Sequence, residues 1–146
     1  MSYTDAQRAK VVAYARAQVG KSYQWAGAGP NSFDCSGLVL ASWMQVGLVL
    51  PHNSGQQVKD THVRTVHYNI ANRDAMLPGD LVFYYGDISE PASVTHVALY
   101  SGITPDPDNG GKHHRMVVAA VDSYYGVKEH WLYWALRPCG FGYIGH

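Results

Sequence analysis

The chain has 146 residues, 47% hydrophobic and 15% charged, the balance of a compact soluble protein with one sizeable core. Eleven basic side chains offset eleven acidic ones, so no global field recruits nucleic acid or an anionic membrane. No apolar run approaches membrane-spanning length, and a single domain over residues 1–146 is expected.

The first residues, Met1-Ser2-Tyr3-Thr4-Asp5, hold neither a basic n-region nor an apolar h-region. No signal peptide is therefore expected, and a product acting outside the cell would need another route out or be cut from a longer protein. Thr4 or Asp5 can cap a first helix over residues 6–19, with Ala9, Val12, Ala13 and Val19 on its apolar face and Gly20 as its stop. Residues 21–34, rich in glycine, alanine, serine and aromatics, read as a loop. A second helix is predicted over residues 36–46, with Leu38, Val39, Ser42 and Val46 on one face, ended by Gly47 with Pro51 beyond.

From residue 76 the period changes. Residues 81–85, 95–100, 116–121 and 131–136 are short β-rich runs separated by turn residues. Residues 104–111 have the composition of an exposed loop, and residues 139–146, with three glycines, that of a junction. Helices followed by strands describe an α+β fold with an antiparallel sheet.

The chemistry centres on Cys35, in Phe33-Asp34-Cys35-Ser36-Gly37-Leu38-Val39. A thiol in the first turn of a helix meets outward-pointing N–H groups and a favourable dipole, which ease formation of the nucleophilic thiolate. Burial as a small apolar side chain is the competing reading. Cys139 is the only other cysteine; a disulfide between the two would consume the better-placed thiol, so one catalytic and one incidental cysteine is preferred.

A cysteine nucleophile needs a base, and histidine suits neutral pH. Of eight histidines, His96 alone lies in a strongly patterned strand, sharing a face with Ala98 and Tyr100 while Val97 and Leu99 take the other. A structural histidine bonded to backbone is the alternative. The remaining seven lie in turn-rich stretches and are expected to be solvated. No H-E-x-x-H or C-x-x-C spacing occurs, so no metal is expected.

Five ordered segments resemble the NlpC-type cell-wall cysteine peptidases, a papain-like superfamily. Tyr23-Gln24-Trp25-Ala26-Gly27 resembles the family's Y-x-W-G-G stretch, with Ala26 in place of the first glycine. The segment around Cys35 resembles the nucleophile box. Leu50-Pro51-His52-Asn53-Ser54-Gly55-Gln56-Gln57 resembles L-P-R-x-S-x-x-Q, with His52 for arginine. Leu77-Pro78-Gly79-Asp80-Leu81-Val82-Phe83 resembles P-G-D-L-V-F, and Thr95-His96-Val97-Ala98-Leu99-Tyr100-Ser101-Gly102 the histidine strand S-H-V-G-I-Y-x-G.

The resemblance implies a papain-like α+β fold, with a helix-borne cysteine facing a histidine on the sheet. It also implies hydrolysis of peptidoglycan stem peptides, usually between γ-linked D-glutamate and a diamino acid. Cys35 would be the nucleophile and His96 the base, with the Cys35 N–H as an oxyanion donor. Tyr23, Asp34, Ser36 and Ser54 would line the substrate site, although Asp34 also reads as a helix N-cap and Ser54 as a turn residue. The family's third, base-orienting position falls on residues 116–121, which are apolar throughout. Asp122 is the nearest polar residue on that face and is assigned the role, ahead of His113, His114 and Glu129.

The expected partner is a peptidoglycan stem peptide, with no cofactor, nucleic acid or membrane, and the expected state is a monomer. Synthesis in the cytoplasm and action on the bacterial wall would suit a phage endolysin or a delivered effector. An amidase or acyltransferase on the same dyad, and a catalytically inactive wall-binding module, are the alternatives.

Overall fold

The computed structural model describes residues 2–146. In chain order it contains α1 (Asp5–Ala17), β1 (Ser22–Tyr23), β2 (Ser32–Phe33), α2 (Cys35–Met44), α3 (Ser54–Val58), β3 (Val63–His67) and α4 (Ile70–Asp74). There follow β4 (Leu81–Tyr84), β5 (His96–Asp106), β6 (Lys112–Ala120), β7 (Val127–Trp131) and β8 (Gly140–Ile144). The last six strands named, β3 to β8, form one antiparallel sheet in the order β3-β8-β4-β5-β6-β7. This is the α+β architecture expected.

Local chemistry sets both main helices. Thr4 caps α1 through a reciprocal pair: its hydroxyl accepts from the Gln7 N–H, and the Gln7 side chain accepts from the Thr4 N–H. Asp34 caps α2, its carboxylate accepting from the Gly37 N–H at 2.6 Å. Ser36, Gly37, Leu38, Val39, Ala41, Ser42 and Trp43 are all buried, so α2 is surrounded rather than one-faced as its spacing suggested.

Strand alternation separates two apolar layers. Leu81, Phe83, Val97, Leu99 and Val118 pack with Val11, Leu38 and Val39 of the helices. Val82, Tyr84, Ala98, Tyr100, Val117 and Phe141 pack on the far face with Leu132.

Several boundaries differ from expectation. The presumed loop over 104–111 is largely a hairpin: β5 and β6 stay paired out to Asp106 and Lys112, and the turn closes at Gly110 with φ +68°. Buried Asp106 organises it, accepting from the Asn109 amide and lying 3.0 Å from His114 Nδ1. The presumed junction contains β8, which lies between β3 and β4 with Phe141 and Ile144 buried. The last β-rich run is displaced to Val127–Trp131.

Candidate active site

The stretch before Cys35 is shaped by two close backbone approaches. β1 pairs in parallel with β2 through Tyr23 and Phe33, and the Asp34 N–H donates to the Gly27 carbonyl at 2.8 Å. That carbonyl lies so near Gly37 that a Cβ there would come within 1.9 Å of it. Glycine at 37 is what lets the 23–34 segment lie against the first turn of α2. Ala26, standing where the motif has glycine, adopts φ +62°, a left-handed conformation that disfavours a side chain.

The result is a cleft of about 280 Å³ lined by Tyr23, Trp25, Asp34, Cys35, Ser36, His52, Ser54 and Thr95, among others. It brings together Cys35 and all four residues expected to meet substrate. Trp25 stands at its rim, 84% exposed. Asp34 is more than a cap here: Ser36 Oγ donates to its Oδ1 at 3.2 Å, and His52 Nε2 lies 2.8 and 3.0 Å from its two oxygens. Ser54 Oγ donates to the Val94 carbonyl at 2.9 Å.

Cys35 is a free cysteine, as is Cys139. Burial pushes the Cys35 thiol up, and the Asp34 charge adds to this; the N–H groups of Val97, Ser36 and Cys35 itself act in the opposite direction. The thiolate expected from helix position alone is therefore not the resting form, because desolvation outweighs the N-terminal field. Burial likewise pushes the Tyr23 hydroxyl up, aided by Cys35 and Asp34.

The thiol meets β5 at its backbone. Cys35 Sγ lies 3.9 Å from the Thr95 carbonyl oxygen, and among the described residues it forms no hydrogen bond to His96. His96 opens β5 on the face of Ala98 and Tyr100, while the helices pack on the face of Val97 and Leu99. Its ring lines a second cavity of about 120 Å³ with Tyr84, Tyr85, Val121, Asp122, His130 and Trp134. Burial there lowers its pKa to about 4, His130 adding to the effect.

Asp122 is in that cavity, but its Oδ1 accepts from the N–H groups of Tyr124 and Tyr125, holding the following turn. Among the described residues it makes no hydrogen bond to His96. Of the weaker candidates, His114 lies beside Asp106, Glu129 accepts from Arg16 and Ser101, and none of His113, His114 and Glu129 lines the cavity.

Several of the histidines expected to be solvated have partners: His114 lies beside Asp106 and stacks on Trp131, and His146 lies against buried Asp80. Two others line the two cavities. His52 is in the cleft against Asp34. His130, 5% exposed, stands on β7 opposite Val117 and turns Nδ1 to the Trp131 carbonyl at 2.7 Å. Apart from the L-P-R-like segment around His52, no local signal could have found either, since both positions depend on strand pairing and loop docking. Among the described residues, no three histidine, cysteine or acidic side chains converge as a metal site, and no helix is long and apolar enough to cross a membrane.

Comparisons with known proteins bear on the family and the fold. The model of the NlpC/P60 family matches residues 20–132. A probable endopeptidase p60 of Listeria seeligeri is 36% identical over 107 residues, covering 70% of this chain and 18% of its own length. A probable endopeptidase of Corynebacterium glutamicum is 33% identical over 120 residues, covering 82% of this chain and 46% of its own. The chain thus spans less than half the length of either relative.

Among solved structures, the P60 domain of an antigen from M. avium subspecies paratuberculosis superposes with a TM-score of 0.70 at 24% identity, covering 97% of this chain and 96% of that one. The NlpC/p60 domain of the peptidoglycan hydrolase SagA gives 0.65 at 24% identity, covering 92% and 96%. At these identities the structures speak for the fold.

Proposed function

Because the chain belongs to the NlpC/P60 family, we propose that it is a cysteine endopeptidase acting on peptidoglycan stem peptides, cutting between γ-linked D-glutamate and a diamino acid. The observation that carries the reading is Cys35, at the first residue of α2, in a cleft with Tyr23, Asp34 and Ser36 and against the backbone that leads into His96.

In this reading the resting pair is a neutral thiol and a neutral imidazole. The substrate carbonyl enters beside Cys35, and His96 takes the thiol proton as sulfur attacks. For this, the thiol gives up its contact with the Thr95 carbonyl and the His96 ring turns from its own cavity toward the cleft. The first N–H groups of α2 receive the developing oxyanion, being the donors a helix leaves unpaired at its start. His96 then passes the proton to the leaving amine, and water releases the acyl group from sulfur. Asp122, on the wall of the His96 cavity, stabilises the transient imidazolium through its charge. Tyr23, Ser36 and the Asp34–His52 pair form the polar wall against which the stem peptide lies, and Trp25 forms the apolar rim.

The test is mass spectrometry of muropeptides from purified peptidoglycan treated with the protein and with Cys35→Ala. Fragments split at the D-glutamyl–diamino acid bond, absent with the variant, are expected. Intact stem peptides from both folded proteins would sink the proposal.

A further inference from the structure

The short helix α3 touches both halves of the candidate machinery. Gln57 is fully buried, and its amide nitrogen donates twice: to the Ser36 carbonyl at 3.1 Å and to the Pro51 carbonyl at 2.8 Å. One bond ends on the residue after the nucleophile, the other on the residue before His52. With two carbonyls facing it, the amide presents nitrogen to them, and Gln57 Oε1 is left buried without a partner. An unpaired buried acceptor offsets part of what the two donated bonds contribute to folding.

At the other end of α3, the buried Ser54 hydroxyl donates to the Val94 carbonyl at 2.9 Å. Val94 directly precedes Thr95, whose carbonyl faces the thiol, and His96. Between them, Gly55 lies so close to the 91–93 turn that a Cβ would stand 2.5 Å from the Pro91 carbonyl oxygen. The helix is thus fastened to the backbone beside Cys35 at one end and to the backbone leading into His96 at the other.

We propose that α3 is a strut in which Gln57 and Ser54 are positioning residues, setting the placement of the Cys35 helix relative to the His96 strand. The inference rests on the dyad proposed above. It gives Ser54 a role different from the substrate contact expected of it: the hydroxyl proton is spent on the fold of the site.

The test compares Ser54→Ala, Ser54→Thr and Gln57→Met with the unaltered protein. Three quantities are measured: kcat and KM on purified peptidoglycan, the pH dependence of Cys35 alkylation by iodoacetamide, and thermal midpoint. Alkylation follows the thiolate fraction and needs no substrate. Misplacement should lower kcat by about tenfold in Ser54→Ala and Gln57→Met, leave KM nearly unchanged and move the alkylation profile. Ser54→Thr, which keeps the hydroxyl, should restore both.

A raised KM with an unmoved alkylation profile in Ser54→Ala would return Ser54 to substrate contact and overturn the strut. Unchanged kcat per folded molecule, with only the thermal midpoint lowered, would overturn it too. Should Gln57→Met fail to fold, Ser54→Ala, which deletes a single hydroxyl, decides alone. If the unaltered protein leaves peptidoglycan intact but the alkylation profiles shift as described, the substrate reading falls and the strut stands.

Discussion

Cys35 Sγ faces the carbonyl oxygen of Thr95 at 3.9 Å and not the ring of His96, the next residue along the strand. The proposed nucleophile and base are adjacent through the backbone at the start of β5, but the thiol and the ring each open into their own cavity. Both are held neutral by the same cause, desolvation: it pushes the thiol up and the imidazole down. Two neutral groups suit the general-base mechanism proposed above, in which the proton moves as the substrate arrives.

This sets the acid side of the pH–rate profile. With the His96 pKa at about 4, the imidazole remains able to accept a proton well below neutrality. We expect kcat/KM on solubilised peptidoglycan to hold its neutral value down to roughly pH 5 and to fall as pH drops through the His96 value. A limb centred between pH 6 and 7 would contradict a buried neutral base.

The same group makes stability depend on pH. His96 binds its proton at about 6.5 when unfolded and at about 4 when folded. Between those values the unfolded chain is the more protonated, so stability is full above pH 6.5 and is lost as pH falls toward 4. His96 alone contributes up to about 3 kcal/mol over that window, and His130, also pushed down by burial, acts in the same sense. Urea midpoints at pH 7.5 and pH 4.5 should differ clearly, and His96→Gln should flatten the difference. Equal midpoints for the unaltered protein would refute it.

Asp122 can be tested without disturbing its turn. Asp122→Asn keeps an oxygen that can accept from the N–H groups of Tyr124 and Tyr125 and removes only the charge. If that charge stabilises the His96 imidazolium, kcat should fall by about tenfold, or about 1.4 kcal/mol of barrier, with the thermal midpoint unchanged. Activity equal to the unaltered protein would confine Asp122 to holding the turn.

The close approach at Gly37 and the left-handed backbone at Ala26 predict opposite responses to exchanging glycine and alanine. Gly37→Ala places a methyl 1.9 Å from the Gly27 carbonyl; the first turn of α2 has to move, at a cost of about 1–3 kcal/mol or more and with loss of activity. Ala26→Gly relieves a φ of +62° and should raise stability by up to about 1 kcal/mol. Chemical denaturation of both variants reads the signs directly.

What could be read from the chain was local. Asp34 before Cys35, with an apolar run after it, announces a helix start, because an N-cap is a contact between neighbours in sequence. The alternation over residues 95–100 announces a strand and the face His96 takes, because the period of a strand is fixed by its backbone. The motif order placed Tyr23, Asp34, Ser36 and Ser54 among the residues to watch, and all four line the Cys35 cleft.

The strand in residues 139–146 was missed because its glycines suggested a junction. They are there because neighbours crowd in: a Cβ on Gly140 would lie 2.7 Å from the Val66 carbonyl oxygen, and one on Gly142 would lie 2.6 Å from a Val63 methyl. The hairpin over 104–111 was missed for a related reason, since its order depends on Asp106 being buried against residues across the turn.

By itself, then, the sequence determined that there is a helix with a cysteine at its first turn, a histidine near the start of a strand, and an α+β order of elements. These follow from hydrogen bonds and periodicities that span a few residues. Only the tertiary structure decided that the thiol rests protonated, that His52 pairs with Asp34, that His130 is buried, and that α3 ties the two halves of the site together. Each of these depends on how much water is removed and on which distant carbonyl or charge replaces it, and burial is a property of the assembled chain.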